Sequence, residues 1–320
     1  MDGDVLVLFE QSLRRATEAS TGPALDAALE DVGWHDALAM EPRAAVSTLF
    51  GLQGAGNVAS TALCDVIGHA LGLNRRPAFG IVLPAIGRWD PPGSLTGCGL
   101  EVNGLTSVSA SLQESAVVMT STERGDVALM VPTESLTLDR VHGVDPNCGL
   151  LRVTGSGVET ETDPGLTTSD WTSAVAAGRV AVAHELVGAS RTMLELARAH
   201  AMGRMQFGRP ISSFQAIRHR LANTLVAIEM AEAMLDAAWL DGTPVSAAMA
   251  KAVAGREART TARHCQQVLA GIGFTTEHPL HLYVQRILVL DGLFGTALSL
   301  TRVLGEELTR AARLPPLLPL

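Results

Sequence analysis

The sequence predicts a mostly helical protein with a small β region in its middle, in the order all-α, β, all-α. Three observations carry that reading. Apolar residues recur at helical spacing up to about residue 75 and again from about residue 167. Between Pro77 and Asp163 the period changes to short β-branched runs separated by turn residues. In the second half, Gln206-Phe207-Gly208-Arg209-Pro210 divides two long helical patterns, because Gly and Pro stop one helix and let the next begin. The expected division is a shortened helical domain over 1–75, a reduced antiparallel β domain over 76–165, and a four-helix bundle over 166–320.

Taken in order, Val5–Thr17, Pro23–Val32 and Ala59–Leu73 have helical periodicity. Gly54-Ala55-Gly56-Asn57-Val58-Ala59 fits G-x-G-x-x-A. One reading is a dinucleotide-binding turn fed by a strand at Ala45–Phe50, with Arg75-Arg76 facing a 2′-phosphate; the other is a glycine-rich helix connection. The predicted strands are Phe79–Pro84, Leu100–Asn103, Thr106–Leu112, Ala116–Ser121, Val127–Val131 and Leu150–Thr154. Asn103-Gly104 predicts a hairpin turn, since a type I′ turn wants positive φ at both central positions. The later helices are expected at about Ser173–Arg204, from about Ser213, at Ala247–Ala270, and at His281–Arg302 with an interruption near Asp291-Gly292. A non-helical tail, Leu314-Pro315-Pro316-Leu317, follows.

Composition excludes several classes. The 320 residues are 47% hydrophobic and carry a formal charge of −9, with a mean hydropathy of +0.23 and a pI near 5.5. That balance argues against a nucleic-acid or anionic-membrane surface. Cys64, Cys98, Cys148 and Cys265 stand alone, as reduced cytoplasmic thiols do. Asp2, Asp4 and Glu10 interrupt any apolar leader, and no uncharged stretch approaches the length of a membrane span. There is no G-x-S-x-G elbow, no H-E-x-x-H and no P-loop. His184, His200, His219 and His264 fall on helical stretches and read as surface or interhelical residues, and Lys251 is the only lysine.

Two segments carry a more specific signal. Arg204-Met205-Gln206-Phe207-Gly208-Arg209-Pro210-Ile211, with Phe214-Gln215 and His219-Arg220-Leu221-Ala222, is the first; Gln267 through Leu280 (QVLAGIGFTTEHPL) is the second. In order and spacing they resemble the acyl-CoA dehydrogenase family, over roughly the last half of the chain. The resemblance implies α,β-desaturation of an acyl-CoA thioester, in which a carboxylate takes the α proton and FAD accepts the β hydride.

That chemistry needs a base, a place for the flavin ring, and a grip on the pyrophosphate and adenine. The family places its glutamate in a Y-E-G-T segment, which here aligns with Leu293-Phe294-Gly295-Thr296, or on the first bundle helix before an arginine, which here is Gly178 before Arg179. Both base positions, Phe294 and Gly178, lack a carboxylate. Glu185 and Asp291 are the nearest acids in sequence, and both read more simply as solvated or ion-paired helix residues. The family's flavin-ring loop is missing where Ile81–Ile86 runs straight into Gly87-Arg88-Trp89-Asp90-Pro91-Pro92, and its tryptophan is missing after Asn103-Gly104.

The third requirement is retained. In the family, matching residues reach across a dimer interface to the neighbour's FAD, and the resemblance carries that role onto Arg204, Phe207, Gln267, Gly271 and Gly273, although Ala270 replaces the first glycine of the second motif. Arginine suits a diphosphate through its planar fork of donors, and glycine lets backbone N–H groups approach the same oxygens. What serves the chain's own flavin is lost and what serves a neighbour's is kept. The resemblance therefore implies a non-catalytic subunit beside a full-length acyl-CoA dehydrogenase, as in the α2β2 enzymes of actinobacterial steroid catabolism. It implies FAD shared with that partner and an acyl-CoA, of steroid-derived type, held mainly by it. The alternatives are a self-sufficient enzyme using Asp291 or Glu185 as base, and a flavin-free structural or regulatory homologue.

Overall fold

The computed structural model describes residues 3–73, 79–97, 99–160 and 167–312. Arg75-Arg76, Cys98 and the tail at Leu314–Leu317 lie outside them. The N-terminal helices are α1 (Gly3–Ala19), α2 (Pro23–Asp31), α3 (Trp34–Met40), α4 (Pro42–Gly56) and α5 (Ala62–Ala70). Proline opens both α2 and α4, where its fixed φ suits the first helical position and its missing N–H is not needed. Phe9, Leu13 and Ala16 of α1 pack with Leu25, Leu29, Trp34, Leu49 and Phe50 into one core. The sequence reading missed α3, a two-turn helix whose burial of Trp34 overrides its short pattern.

The dinucleotide turn is overturned here. Its supposed strand, Ala45–Phe50, is the middle of α4, and the motif's first glycine, Gly54, serves a helix crossing. A Cβ added at Gly54 would lie 2.0 Å from the Glu185 carbonyl oxygen, and one at Gly188 would lie 2.1 Å from the Gly51 carbonyl oxygen. Two helix backbones in contact leave no room for any side chain between them.

The middle region is one sheet built from β1 (Phe79–Ile81), β2 (Leu83–Pro84), β3 (Gly93–Thr96), β4 (Gly99–Ser107), β5 (Ser115–Thr122), β6 (Gly125–Pro132), β7 (Thr137–Arg140) and β8 (Leu150–Val158). The strand order is β1-β5-β3-β4-β8-β7, with β2 beside β4 and β6 beside β5. The sheet is mixed where an antiparallel one was expected: β1 and β3 both run parallel to β5. Asn103-Gly104 is also no hairpin. Both residues lie inside β4, paired with Thr154 and Val153 of β8. Gly104 is needed because a Cβ there would sit 2.3 Å from the Leu83 carbonyl oxygen on the neighbouring strand β2.

The C-terminal helices are α6 (Thr168–Gly203), α7 (Gln215–Asp241), α8 (Pro244–Leu269), α9 (Leu280–Gly292) and α10 (Ala297–Ala311). Between α6 and α7 a miniature hairpin joins β9 (Met205–Gln206) to β10 (Arg209–Pro210). Its turn residues Phe207 and Gly208 both have positive φ, 51° and 73°, as a type I′ turn requires. Thr167 and Asp170 cap α6 reciprocally, and Thr243 caps α8. Ala247, Ala250, Ala254, Ala258 and Ala262 are buried in the central cluster with Leu186, Met193 and Ala197 of α6. Small residues every three or four positions bring α8 close against its neighbours.

Leu280–Ala311 is long and apolar enough to cross a membrane by composition, which the sequence reading overlooked. It folds instead as α9 and α10, broken at Leu293, and half of its most apolar window is buried in the protein.

One side chain joins all three regions. Arg286 of α9 is 2% exposed. It donates to Val58 O beside the N-terminal helices, to Asn147 O and Asp145 Oδ2 of the segment before β8, and to Glu185 Oε1 of α6. A buried guanidinium with partners on three sides fixes their mutual placement.

Candidate functional site

The two positions at which the resemblance expects a base meet in space. Gly178 lies on α6, and a Cβ added there would sit 2.8 Å from both Cε2 and Cζ of Phe294 and 2.9 Å from Ile67 Cδ1. Phe294 is 2% exposed. Its ring occupies the space that a side chain from α6 would need.

The segment carrying Phe294 is held in an unusual backbone. Phe294 has φ 54° and Gly295 has φ 97°, a left-handed pair that a phenylalanine adopts only when its surroundings impose it. Those surroundings are buried and polar. Lys251 Nζ, on α8, donates to the carbonyl oxygens of Asp291 and Gly295 at 3.0 and 3.2 Å. Arg179 Nε donates to Phe294 O at 3.2 Å. Asp291 accepts from Ala297 N at 2.9 Å and from Arg259 Nε at 2.8 Å, and Gly255 leaves it space beneath α8. Burial pulls the Lys251 ammonium down to about 7, against the pull of Asp291, and the Arg179 guanidinium down to about 10.

The neighbouring space is partly filled. Trp89, in the loop between β2 and β3, packs against Gly295, where an added Cβ would meet the indole at 2.8 Å. The Arg179 guanidinium lies 5.6 Å from the Trp89 ring centre, and Trp171 Nε1 donates to Trp89 O at 3.1 Å. A cavity of about 310 Å³, lined by Trp89, Asp126, Trp171, Arg179 and Leu300 among others, remains between sheet and bundle beside these residues.

Neither candidate acid is solvated. Glu185 is buried against Arg286, and burial pushes its carboxyl up to about 7 despite that partner. It sits seven residues along α6 from Gly178, about 10 Å at 1.5 Å per residue. Asp291 is tied to Arg259 and to the backbone of α10, as above. Of the histidines, His184 accepts from Trp239 across α6 and α7, with burial pulling it down to about 4. His264 bonds Thr224 across α8 and α7, and His219 is exposed. Among the described residues no group of three His, Cys, Asp or Glu side chains could hold a metal ion.

The five residues assigned to a neighbour's cofactor lie at the other end of the bundle. Arg204 is the C-cap of α6, exposed, and without a carboxylate partner among the described residues. Phe207, at the hairpin tip, is 90% exposed and meets Phe214 edge-on. Gln267 and Gly271 are exposed at and just beyond the end of α8, and nothing lies within 4 Å of a Cβ at Gly271. Gly273 differs: it is buried, and its own helix end explains it, since a Cβ there would lie 2.9 Å from Leu269 Cβ. The edge-on packing of His200 with His278, at 6.5 Å, and the Thr224–His264 bond bring the two motifs to one end. Met202, Met205, Ile272 and Phe274 are exposed there too. Exposed apolar side chains thus cluster with an arginine that has no carboxylate partner among the described residues, the composition expected of a contact surface.

The sequence reading missed the roles of Lys251, Arg286 and Trp89. A signal existed for the first, since the single lysine of an arginine-rich chain sits in an alanine-rich apolar run.

Comparison with known proteins follows the same lines. Residues 168–309 match the family described as acyl-CoA dehydrogenase, C-terminal domain. Acyl-CoA dehydrogenase FadE34 of Mycobacterium tuberculosis is 40% identical over 154 residues, covering 42% of this chain and 22% of that protein. This chain spans less than half the length of the curated relatives it matches. Among solved structures, the Tcur3481-Tcur3483 steroid ACAD G363A variant superposes with a TM-score of 0.79 at 20% identity, over 97% of this chain and 99% of that one. The ChsE4-ChsE5 complex from Mycobacterium tuberculosis gives 0.76 at 19% identity, over 98% and 97%. At that identity the likeness is one of fold, and it extends over the whole chain.

Proposed function

We propose, for a chain whose residues 168–309 are an acyl-CoA dehydrogenase C-terminal domain within an acyl-CoA dehydrogenase fold, that it is a non-catalytic subunit completing a partner's FAD site. The packing of Phe294 on Gly178 carries this reading, because neither residue bears a carboxylate and the Phe294 ring occupies the space a side chain at position 178 would need. The partner is a full-length acyl-CoA dehydrogenase subunit in an α2β2 assembly, in the cytoplasm, and the acyl-CoA, of steroid-derived type, is held mainly by that partner. Support comes from the relatives: the two structures above are named for a steroid enzyme and for a complex of two chains.

The residues present fit one end of FAD and not the other. Beside Phe294, the Trp89 indole packs on Gly295 and under the Arg179 guanidinium, and no loop with the family's flavin-ring pattern stands there. At the far end of the bundle, Arg204 has no competing carboxylate among the described residues and Gly271 leaves open space. FAD, when bound, supplies the hydride acceptor. Arg204 would pair with its pyrophosphate, Gln267 would offer amide hydrogen bonds, Gly271 would admit close approach, and Phe207 would shield the site from water.

Co-expression with a full-length relative tests the reading, with native mass and flavin absorbance as readouts. One FAD per pair of unlike chains, and a colourless, inactive chain alone, is the expected result. Two FADs per pair, or a yellow and active homo-oligomer, would overturn it.

A further inference from the structure

On α8, Arg256, Arg259 and Arg263 are spaced by three and then four residues, so they share one face over about 10 Å of helix. That face overlooks a groove of about 810 Å³ between α8, α9 and α10, within the size range of small-molecule sites. The two carboxylates bound to these arginines lie on the buried side. Asp291 is 1% and Glu257 8% exposed, and they hold Arg259 and Arg256. Arg263 touches only Thr260 Oγ1 at 3.3 Å and has no carboxylate partner among the described residues. The outward faces of three guanidinium groups are therefore cationic, in a chain of net charge −9. Arg259 is the best oriented: a buried carboxylate, itself bonded to Ala297 N, accepts from both its Nε and Nη2. The facing wall is apolar, with Leu288 partly exposed and Leu298 81% exposed.

We propose that this groove binds the adenosine-diphosphate moiety of a nucleotide, with the diphosphate across Arg259 and Arg263 and the apolar body against Leu288 and Leu298. Three guanidinium groups exceed what one carboxylate can accept, whereas a diphosphate offers oxygens to several planar forks at once. The aliphatic wall beside them matches a flat, weakly hydrated ring rather than an inorganic anion. CoA and FAD both carry this moiety, so titration decides between the two sources. The groove belongs to this chain alone and does not depend on the heteromeric reading.

The experiment is titration calorimetry on the purified chain, without a partner, using ADP, CoA, FAD and inorganic pyrophosphate as separate probes. Saturable 1:1 binding of ADP is expected, stronger than pyrophosphate and weakened by salt. The pair Arg256→Gln/Arg263→Gln, both exposed, lowers affinity about tenfold or more, while Arg124→Gln, exposed in the turn between β5 and β6, leaves it unchanged. Leu298→Asp, also at an exposed site, weakens ADP but not pyrophosphate. CoA tighter than FAD assigns the groove to CoA, and the reverse order assigns it to FAD. No saturable binding of ADP, CoA or FAD up to about 1 mM, equal affinity for ADP and pyrophosphate, or indifference to the arginine pair would overturn the proposal. Its failure leaves the FAD stoichiometry of a heteromer untouched.

Discussion

Gly178 and Phe294 fill one another's space: the ring of the second lies where the Cβ of the first would be, at 2.8 Å. The two positions are 116 residues apart in the chain (294 − 178). On the resemblance argued above, these are the positions at which a catalytic carboxylate is expected. The two residues form a close-packed pair, with Arg179 and Lys251 fixing the backbone that presents the ring.

Gly178→Ala should therefore destabilise the chain by about 1–3 kcal/mol through overpacking, read as a lowered urea midpoint. Phe294→Leu shortens the ring and should relieve that clash. The double variant is expected to be more stable than the sum of the single effects predicts, with a coupling of about 1 kcal/mol. Strict additivity would mean that the two side chains do not meet as described.

Arg286 gives a second test. Replacing it by Met keeps the bulk but strips Asp145 and Glu185 of their buried partner. Leaving buried carboxylates unpaired costs about 3–5 kcal/mol. Three regions lose one shared donor, so partial unfolding should begin at the junction of sheet and bundle. Hydrogen exchange should show early loss of protection around β8 and α5 ahead of α7. Uniform loss across the chain would argue against a junction role.

Much of this was legible in the sequence and some was not. The bundle helices, the break at Asn57 and at Gly208, and the interruption near Asp291 follow from apolar periodicity and from glycine or proline placement. Asn103-Gly104 misled because its glycine answers to a paired strand 20 residues away in sequence, at Leu83–Pro84, and local turn chemistry cannot report that. Gly54 misled for a related reason, since its requirement lies in the α6 backbone. The empty base positions were visible as residue types, but their contact with each other was a tertiary fact. Lys251 was noticed only as a count.

Lys251 makes a pH prediction. Its ammonium is fully buried and pulled down to about 7 by burial. In the unfolded chain it titrates near 10.5, so between about pH 7 and pH 10 the unfolded state holds the extra proton. Stability therefore rises with pH across that window, by up to about 1.4 kcal/mol per unit from this group. Below pH 7 the full cost of burying the charge is present and flat. The stability difference between the native chain and Lys251→Met, measured at pH 7, 8 and 9, should move in favour of the native chain at each step. A pH-independent difference would show that the lysine keeps its ordinary affinity for a proton.

The exposed end of the bundle separates a contact role from a folding role. The side chains of Arg204 and Gln267 are exposed and make no buried interaction among the described residues, so Arg204→Ala and Gln267→Ala should each change the chain's own stability by less than about 0.5 kcal/mol. In the co-purified heteromer the same variants should lower FAD content, Arg204→Ala the more strongly because it removes a charge-assisted pair. Arg204→Lys keeps the charge but not the fork, and should recover only part of the flavin. Full flavin in all three variants would place the cofactor elsewhere on the partner and leave this surface as a purely apolar contact around Phe207 and Phe274.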